Sequence, residues 1–150
     1  MGEPVLLRAT AVVREGQPFD TVTLTHDDRH RRRIRLTADG GTSFLLDLAE
    51  ACHLTDGDLL ALSDGRHVQI RAAPEPVLEV ATATSVQLAR LAWHLGNRHT
   101  PVQVLEDGRL RLREDHVLAA MLQGLGANVT RSIAPFSPEH GAYAGRGHEH

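Results

Sequence analysis

The sequence predicts an α+β protein in three parts: a small β domain over residues 1–74, a β-α-β-β-α-β domain over 75–138, and a short flexible tail with histidines over 139–150. Three observations carry this expectation. The first half alternates short apolar runs with turn residues. The second half adds two stretches of helical periodicity between such runs. Prolines at 74 and 76 interrupt the pattern between the halves.

In the first half, VLLRATAVV (5–13), DTVTLTH (20–26), RRRIRLTA (31–38), DLLALSD (58–64) and HVQIRAA (67–73) read as strands. Asp64-Gly65 predicts a two-residue or slightly longer hairpin between the last two. Asp39-Gly40-Gly41 and Asp56-Gly57 mark further turns. FLLDLAEACHL (44–54) is expected to hold a strand that runs into a short helical turn. In the APEP stretch at 73–76 each proline removes a ladder donor and restricts the residue before it, so a domain boundary is placed there.

In the second half, VLEVATA (77–83) is a strand. Ser85 is expected to cap a helix whose apolar face is Leu88, Leu91, Ala92 and Leu95. Gly96 is expected to supply the left-handed residue that ends this helix, with Asn97 also tolerant of that conformation. TPVQVLE (100–106) and RLRLRE (109–114) are strands joined at Asp107-Gly108. Asp115 caps a second helix with Leu118, Met121, Leu122 and Leu125 on its apolar face, ending near Gly124 or Gly126. NVTRSIAPF (128–136) is the last strand, which completes the ferredoxin-like order. Beyond Pro138 the chain is polar and glycine-rich, with too little apolar content to fold alone.

Composition narrows the function. Only five residues are Phe, Trp or Tyr, so the core must be built from Leu, Val, Ile and Ala. A net charge of −3 argues against a protein that works mainly by neutralising phosphates. The single cysteine, Cys52, cannot form an internal disulfide, and a thiolate metal site needs several; it reads as a small buried hydrophobe. The start, MGEPVLLRATAVV, has no basic region followed by a long apolar run, and no apolar stretch approaches about 20 residues. A cytoplasmic protein is therefore expected. A Gly-rich phosphate loop, G-x-S-x-G, H-E-x-x-H and C-x-x-C are all missing.

Histidine is the unusual count, with ten. In HLGNRH (94–99), His94 falls in the last turn of the first helix, where a cationic ring suits the helix dipole. His99 falls past the cap, and the residues alone make it an ordinary surface histidine more often than a ligand. His140, His148 and His150 lie on the tail, where a short histidine tract suggests metal on composition and a solvated polar tail otherwise. His116, in REDHVL, reads first as a solvent-facing residue in the opening turn of the second helix. The basic run RHRRRIR (29–35) reads as the solvated face of a strand with Ile34 inward, and as a docking patch for an acidic partner in the minority reading.

HLGNRH followed by a strand, then EDHVLAAMLQGLGA and FSPEHGAY before a histidine-bearing terminus, resemble the urease accessory protein E family, the nickel metallochaperones of urease maturation. LLDL, LTDGDLLALSDGRHVQI and EPVLEV are similar to that family's N-terminal domain. The resemblance covers nearly the whole chain and is most specific at Gly96-Asn97-Arg98-His99. It implies an N-terminal β domain that meets urease or its partners, and a ferredoxin-like metal-binding domain that forms a homodimer. It implies that His99 is the central nickel ligand at the dimer interface, assisted by His148 and His150, with His140 a further tail histidine. Some members carry a histidine pair at the start of the second helix; here His116 stands at one position and Glu114 at the other. The partners implied are the accessory GTPase and apo-urease, with no nucleic acid, no membrane and no catalytic activity of its own.

The chemistry fits such a role. Imidazole binds nickel, copper and zinc, so zinc or copper competes for the same site and selectivity must come from geometry and supply. One histidine per protomer, doubled by a twofold axis, makes an incomplete site that mobile ligands can complete or vacate. Acid should weaken such a site as imidazole protonates around pH 6.5. Two rivals remain. An RNA-binding module of the same strand-helix order stacks bases on sheet aromatics, and TPVQVLE and RLRLRE contain none. A metal-dependent hydrolase using His99 and His116 needs rigid ligands and a general base, whereas half the ligands considered lie on the tail.

Overall fold

A computed structural model describes residues 6–140. His148, His150, the GAY segment at 141–143 and the first five residues lie outside the described residues. The chain divides into two compact units after Ala73.

The first unit is a six-stranded sheet built from β1 (Arg8–Val13), β2 (Pro18–Leu24), β3 (Arg33–Thr37), β4 (Ser43–Asp47), β5 (Leu59–Leu62) and β6 (His67–Ala72). The strand order is β2-β6-β5-β1-β4-β3. Strands β1 and β4, and likewise β2 and β6, pair in parallel, which the local hairpin signals do not announce. Asp39 ties the end of β3 to β2: its N–H donates to the Thr21 carbonyl, and its carboxylate accepts the Thr21 and Thr23 hydroxyls. Phe44, Leu46, Leu60, Val68 and Ile70 are completely buried in the core. The expected aliphatic core is thus present, with Phe44 as its one large aromatic side chain.

Two expectations are corrected here. Residues 48–54 form bends and extended chain rather than a helical turn, because Leu48 and Leu54 are pulled inward and donate backbone bonds to the carbonyls of Arg32 and Arg29. The basic run is not one strand face. Asp28–His30 is a 3₁₀ turn, and Arg29 is 3% exposed with its Nε donating to the Leu24 carbonyl at 3.2 Å. Only Arg33 and Arg35 stand outward on β3, with Ile34 half-buried between them.

The second unit runs β7 (Pro74–Ala81), α1 (Ser85–Asn97), β8 (Gln103–Val104), β9 (Leu110–Arg113), α2 (His116–Gly124) and β10 (Asn128–Pro135). Its sheet has the order β10-β7-β9-β8, every pair antiparallel. Pro74 and Pro76 do not break β7 but open it; β9 pairs only from Val77 onward, clear of both prolines. Alternate strand residues Leu78, Val80, Leu110 and Leu112 pack against Leu91 and Leu95 of α1 and Leu122 of α2. Ala92 and Leu125, expected on the apolar helix faces, are exposed instead. On the sheet's opposite face, the Glu79 carboxylate accepts Arg109 at 2.8 Å and Arg111 at 2.6 Å. The Arg111 hydrogen bond is the main reason its carboxyl is held below the usual range.

The two Asp-Gly turns expected between β5 and β6 and between β8 and β9 both form, and they are alike. Leu62 N–H donates to Arg66, and Leu105 N–H to Arg109, around glycines at φ +92° and +88°. In each, the aspartate before the glycine accepts the backbone and side-chain N–H of the arginine after it.

Candidate metal centre

Helices α1 and α2 end in the same way, and the difference between them defines the site. At the end of α2, the Gly126 N–H donates to the Gln123 carbonyl and the Ala127 N–H to Leu122, each at 3.0 Å. At the end of α1, the His99 N–H donates to Gly96 at 3.0 Å and the Thr100 N–H to Leu95 at 3.1 Å. This is the Schellman pattern, which places one left-handed residue just past the helix. In α2 that residue is Gly126, at φ +92°; in α1 it is His99, at φ +57°.

The expectation that Gly96 takes this role is therefore wrong. Gly96 lies inside α1, which ends at Asn97, and the left-handed turn comes at His99, three residues after Gly96. His99 is the only non-glycine residue at positive φ among the described residues. A side chain in that conformation costs about 1–2 kcal/mol that glycine does not incur. The helix start also shifts: the cap is Thr84, whose hydroxyl accepts the Gln87 N–H, one residue before the expected Ser85.

The exposed His99 lies on a cleft of about 390 Å³ shared with Arg98, Thr100, Arg113, Glu114 and Asp115. The cleft runs from the end of α1 to the start of α2. Both carboxylates already have roles. Asp115 caps α2 as expected, accepting the Val117 and Leu118 N–H groups at 2.9 and 3.0 Å. Glu114 is paired with Arg131 at 3.2 Å. Among the described residues, no three His, Cys, Asp or Glu side chains are grouped so as to hold a metal ion. Each chain thus offers one imidazole here, with nearby carboxylates that would have to leave other bonds to join it.

The other histidines separate by position. His116 is the exposed first residue of α2 and does not line the cleft. His94 is half-buried within α1, its ring edge-on to Trp93 at 5.2 Å. His140 is exposed and lines a second groove with Gly96, Thr100 and Pro101, so Thr100-Pro101 borders both depressions. Glu139, assigned to the tail from sequence, belongs to the folded unit: its N–H donates to Val102 at 2.7 Å and its carboxylate accepts the Val104 N–H. Cys52 is half-buried against the first core, and burial, aided by the nearby Asp58 charge, pushes its thiol up. The conformation of His99 was missed because glycine is the default left-handed residue. The signal available was Pro101, which drives Thr100 towards extended backbone and leaves residue 99 to make the turn.

Fold and site define a two-unit α+β protein that presents one exposed imidazole donor at the rim of a polar cleft. Comparison with known proteins makes this particular. Residues 7–73 match the family described as UreE urease accessory protein, N-terminal domain, and residues 75–150 match its C-terminal domain. A urease accessory protein UreE from Chelativorans sp. (strain BNC1) is 50% identical over 145 residues, spanning 96% of this chain and 91% of that protein. Those from Azorhizobium caulinodans and Beijerinckia indica are 48% and 46% identical, each over 97% of this chain and over 72% and 86% of their own length. The chain belongs to the UreE urease accessory protein family and is an accessory protein, not an enzyme. That sets aside the hydrolase reading. The RNA-binding reading also lacks its surface, since the sheet face opposite the helices carries the Glu79–Arg109–Arg111 ion pairs where stacking aromatics would stand. No helix among the described residues is long and apolar enough to cross a membrane.

Proposed function

We propose that this chain is a cytoplasmic nickel metallochaperone that binds Ni²⁺ through His99 of two protomers and delivers it, with the accessory GTPase, to apo-urease. The observation that carries the reading is the cost accepted at His99. The same capping motif takes glycine in α2 and histidine in α1, where the imidazole is exposed beside a polar cleft. Stability alone would favour glycine at both.

A single imidazole cannot hold nickel tightly, so the remaining donors come from outside the cleft. A twofold axis supplies the second His99. Val86 and Trp93, two turns apart on α1, are 59% and 65% exposed, which supports a partner on that helix. His148 and His150 assist from the tail. Glu139 anchors the chain beside Val102, and His148 lies eight residues beyond His140 in sequence, a span of up to roughly 28 Å when extended. His140 borders the Thr100-Pro101 segment next to His99, and His116 lies a helix start away; both are accessory ligands in this reading. Zinc and copper compete for the same imidazoles. The strand order β10-β7-β9-β8 with crossovers through α1 and α2 supports a ferredoxin-like assignment for this metal-binding, dimerising unit, with the first unit left to face urease or its partners.

Titration calorimetry with Ni²⁺ tests the assignment. Tight binding should be lost in His99→Ala, and deleting residues 148–150 should weaken it while dimers persist. Undiminished tight binding in His99→Ala would remove His99 from the site.

A further inference from the structure

We propose a second, weaker divalent-metal site in the first unit, formed by His30 and His53. Their ring centres lie 4.0 Å apart, with the planes inclined by 37°. Two imidazoles bound side by side to one ion, at metal–nitrogen distances of about 2.0–2.1 Å, place their ring centres roughly 4.5–5 Å apart. To admit an ion, the rings must part by about 0.5–1 Å and turn so that one nitrogen of each faces it, a change open to two exposed side chains.

The backbone holds the pair in place. His30 closes the 3₁₀ turn after β2, and His53 lies in the irregular segment after β4. Their neighbours are joined directly, the Leu54 N–H donating to the Arg29 carbonyl at 2.8 Å. Arg29 and Leu54 are buried, at 3% and 2% exposure, so this bridge is fixed in the core edge. Both histidines are exposed and can be reached by a hydrated ion.

A third ring lies behind them. His26 is 8% exposed, its ring centre 6.0 Å from that of His53 and its Nδ1 3.7 Å from Asp27 Oδ1. The three rings are not arranged to share one ion. The site therefore has two protein ligands, and water completes the shell. It takes borderline first-row cations, for which imidazole is the matching ligand, and it exchanges them readily. Neither residue belongs to the His99 site, so this inference stands or falls apart from the delivery role.

Nuclear magnetic resonance of the full chain, titrated with Ni²⁺, tests it. Ni²⁺ is preferred to Cu²⁺ because the Cys52 thiol beside His53 could reduce copper. The paramagnetic ion should broaden the amides of residues 26–31 and 52–55 in the wild-type protein and in His99→Ala. His53→Phe keeps a ring in the contact and should abolish that broadening, while broadening around His99 remains. His30→Gln should do the same without a second ring. The metal-free amide spectrum of each variant reports whether the unit stays folded. No broadening at residues 26–31 and 52–55 in the wild type, or unchanged broadening in both folded variants, would overturn the site. Absence of broadening around His99 alone would instead count against the nickel-delivery reading.

Discussion

Replacing His99 by glycine should stabilise the second unit while removing its proposed metal donor. At φ +57° a residue with a Cβ carries about 1–2 kcal/mol of conformational cost, which glycine escapes. Glycine also gives the unfolded chain more freedom, which returns roughly 0.5–1 kcal/mol. The exposed imidazole contributes little packing, so the net gain of His99→Gly over His99→Ala is about 0.5–1 kcal/mol. For a unit of this size that corresponds to roughly 2–8 °C in Tm. Thermal unfolding in the presence of a chelator is the assay, with alanine as the control because it removes the same imidazole and keeps the strain. Glycine no more stable than alanine would refute the claim that position 99 sacrifices stability to hold a side chain in the left-handed conformation.

Other outcomes follow from the same geometry. Gly126→Ala should destabilise, since it places a Cβ at φ +92° and only 2.7 Å from Gln87 Nε2; chemical denaturation should show a lower midpoint. Asp115→Ala removes the acceptor for two α2 N–H groups and should cost about 1 kcal/mol by the same measurement. Leu95→Ala empties a fully buried position beneath the cap of α1 and should cost about 2–5 kcal/mol, seen as a lower denaturation midpoint. Glu79 has a depressed folded-state pKa, so its stabilisation is present above the ordinary carboxylate range, near pH 4.3, and is lost as pH falls below it. Acid unfolding of Glu79→Gln should accordingly be less steep below about pH 4 than that of the wild type.

Much of the second unit is legible in the sequence because its signals are local. Asp115, the Asp107-Gly108 turn and the Leu91–Leu95–Leu122 packing all follow from spacing and turn chemistry. The parallel pairings of β1 with β4 and β2 with β6 are not legible, since they join segments with no shared turn between them. Arg29 shows a different limit: a charged residue in a basic run reads as solvated, yet its guanidinium is buried against a carbonyl. At the candidate site, the family resemblance singles out His99, while the expected helix end falls on the wrong residue. Its backbone conformation, the clearest physical mark of the position, depends on paired hydrogen bonds that composition does not reveal.

The most direct test of nickel binding at His99 is anomalous diffraction at the nickel edge from crystals of the nickel-loaded protein. The expected result is a nickel peak on a molecular twofold axis, within about 2.1 Å of a His99 imidazole nitrogen from each protomer. A nickel peak elsewhere, with both His99 rings out of coordination distance, would contradict it.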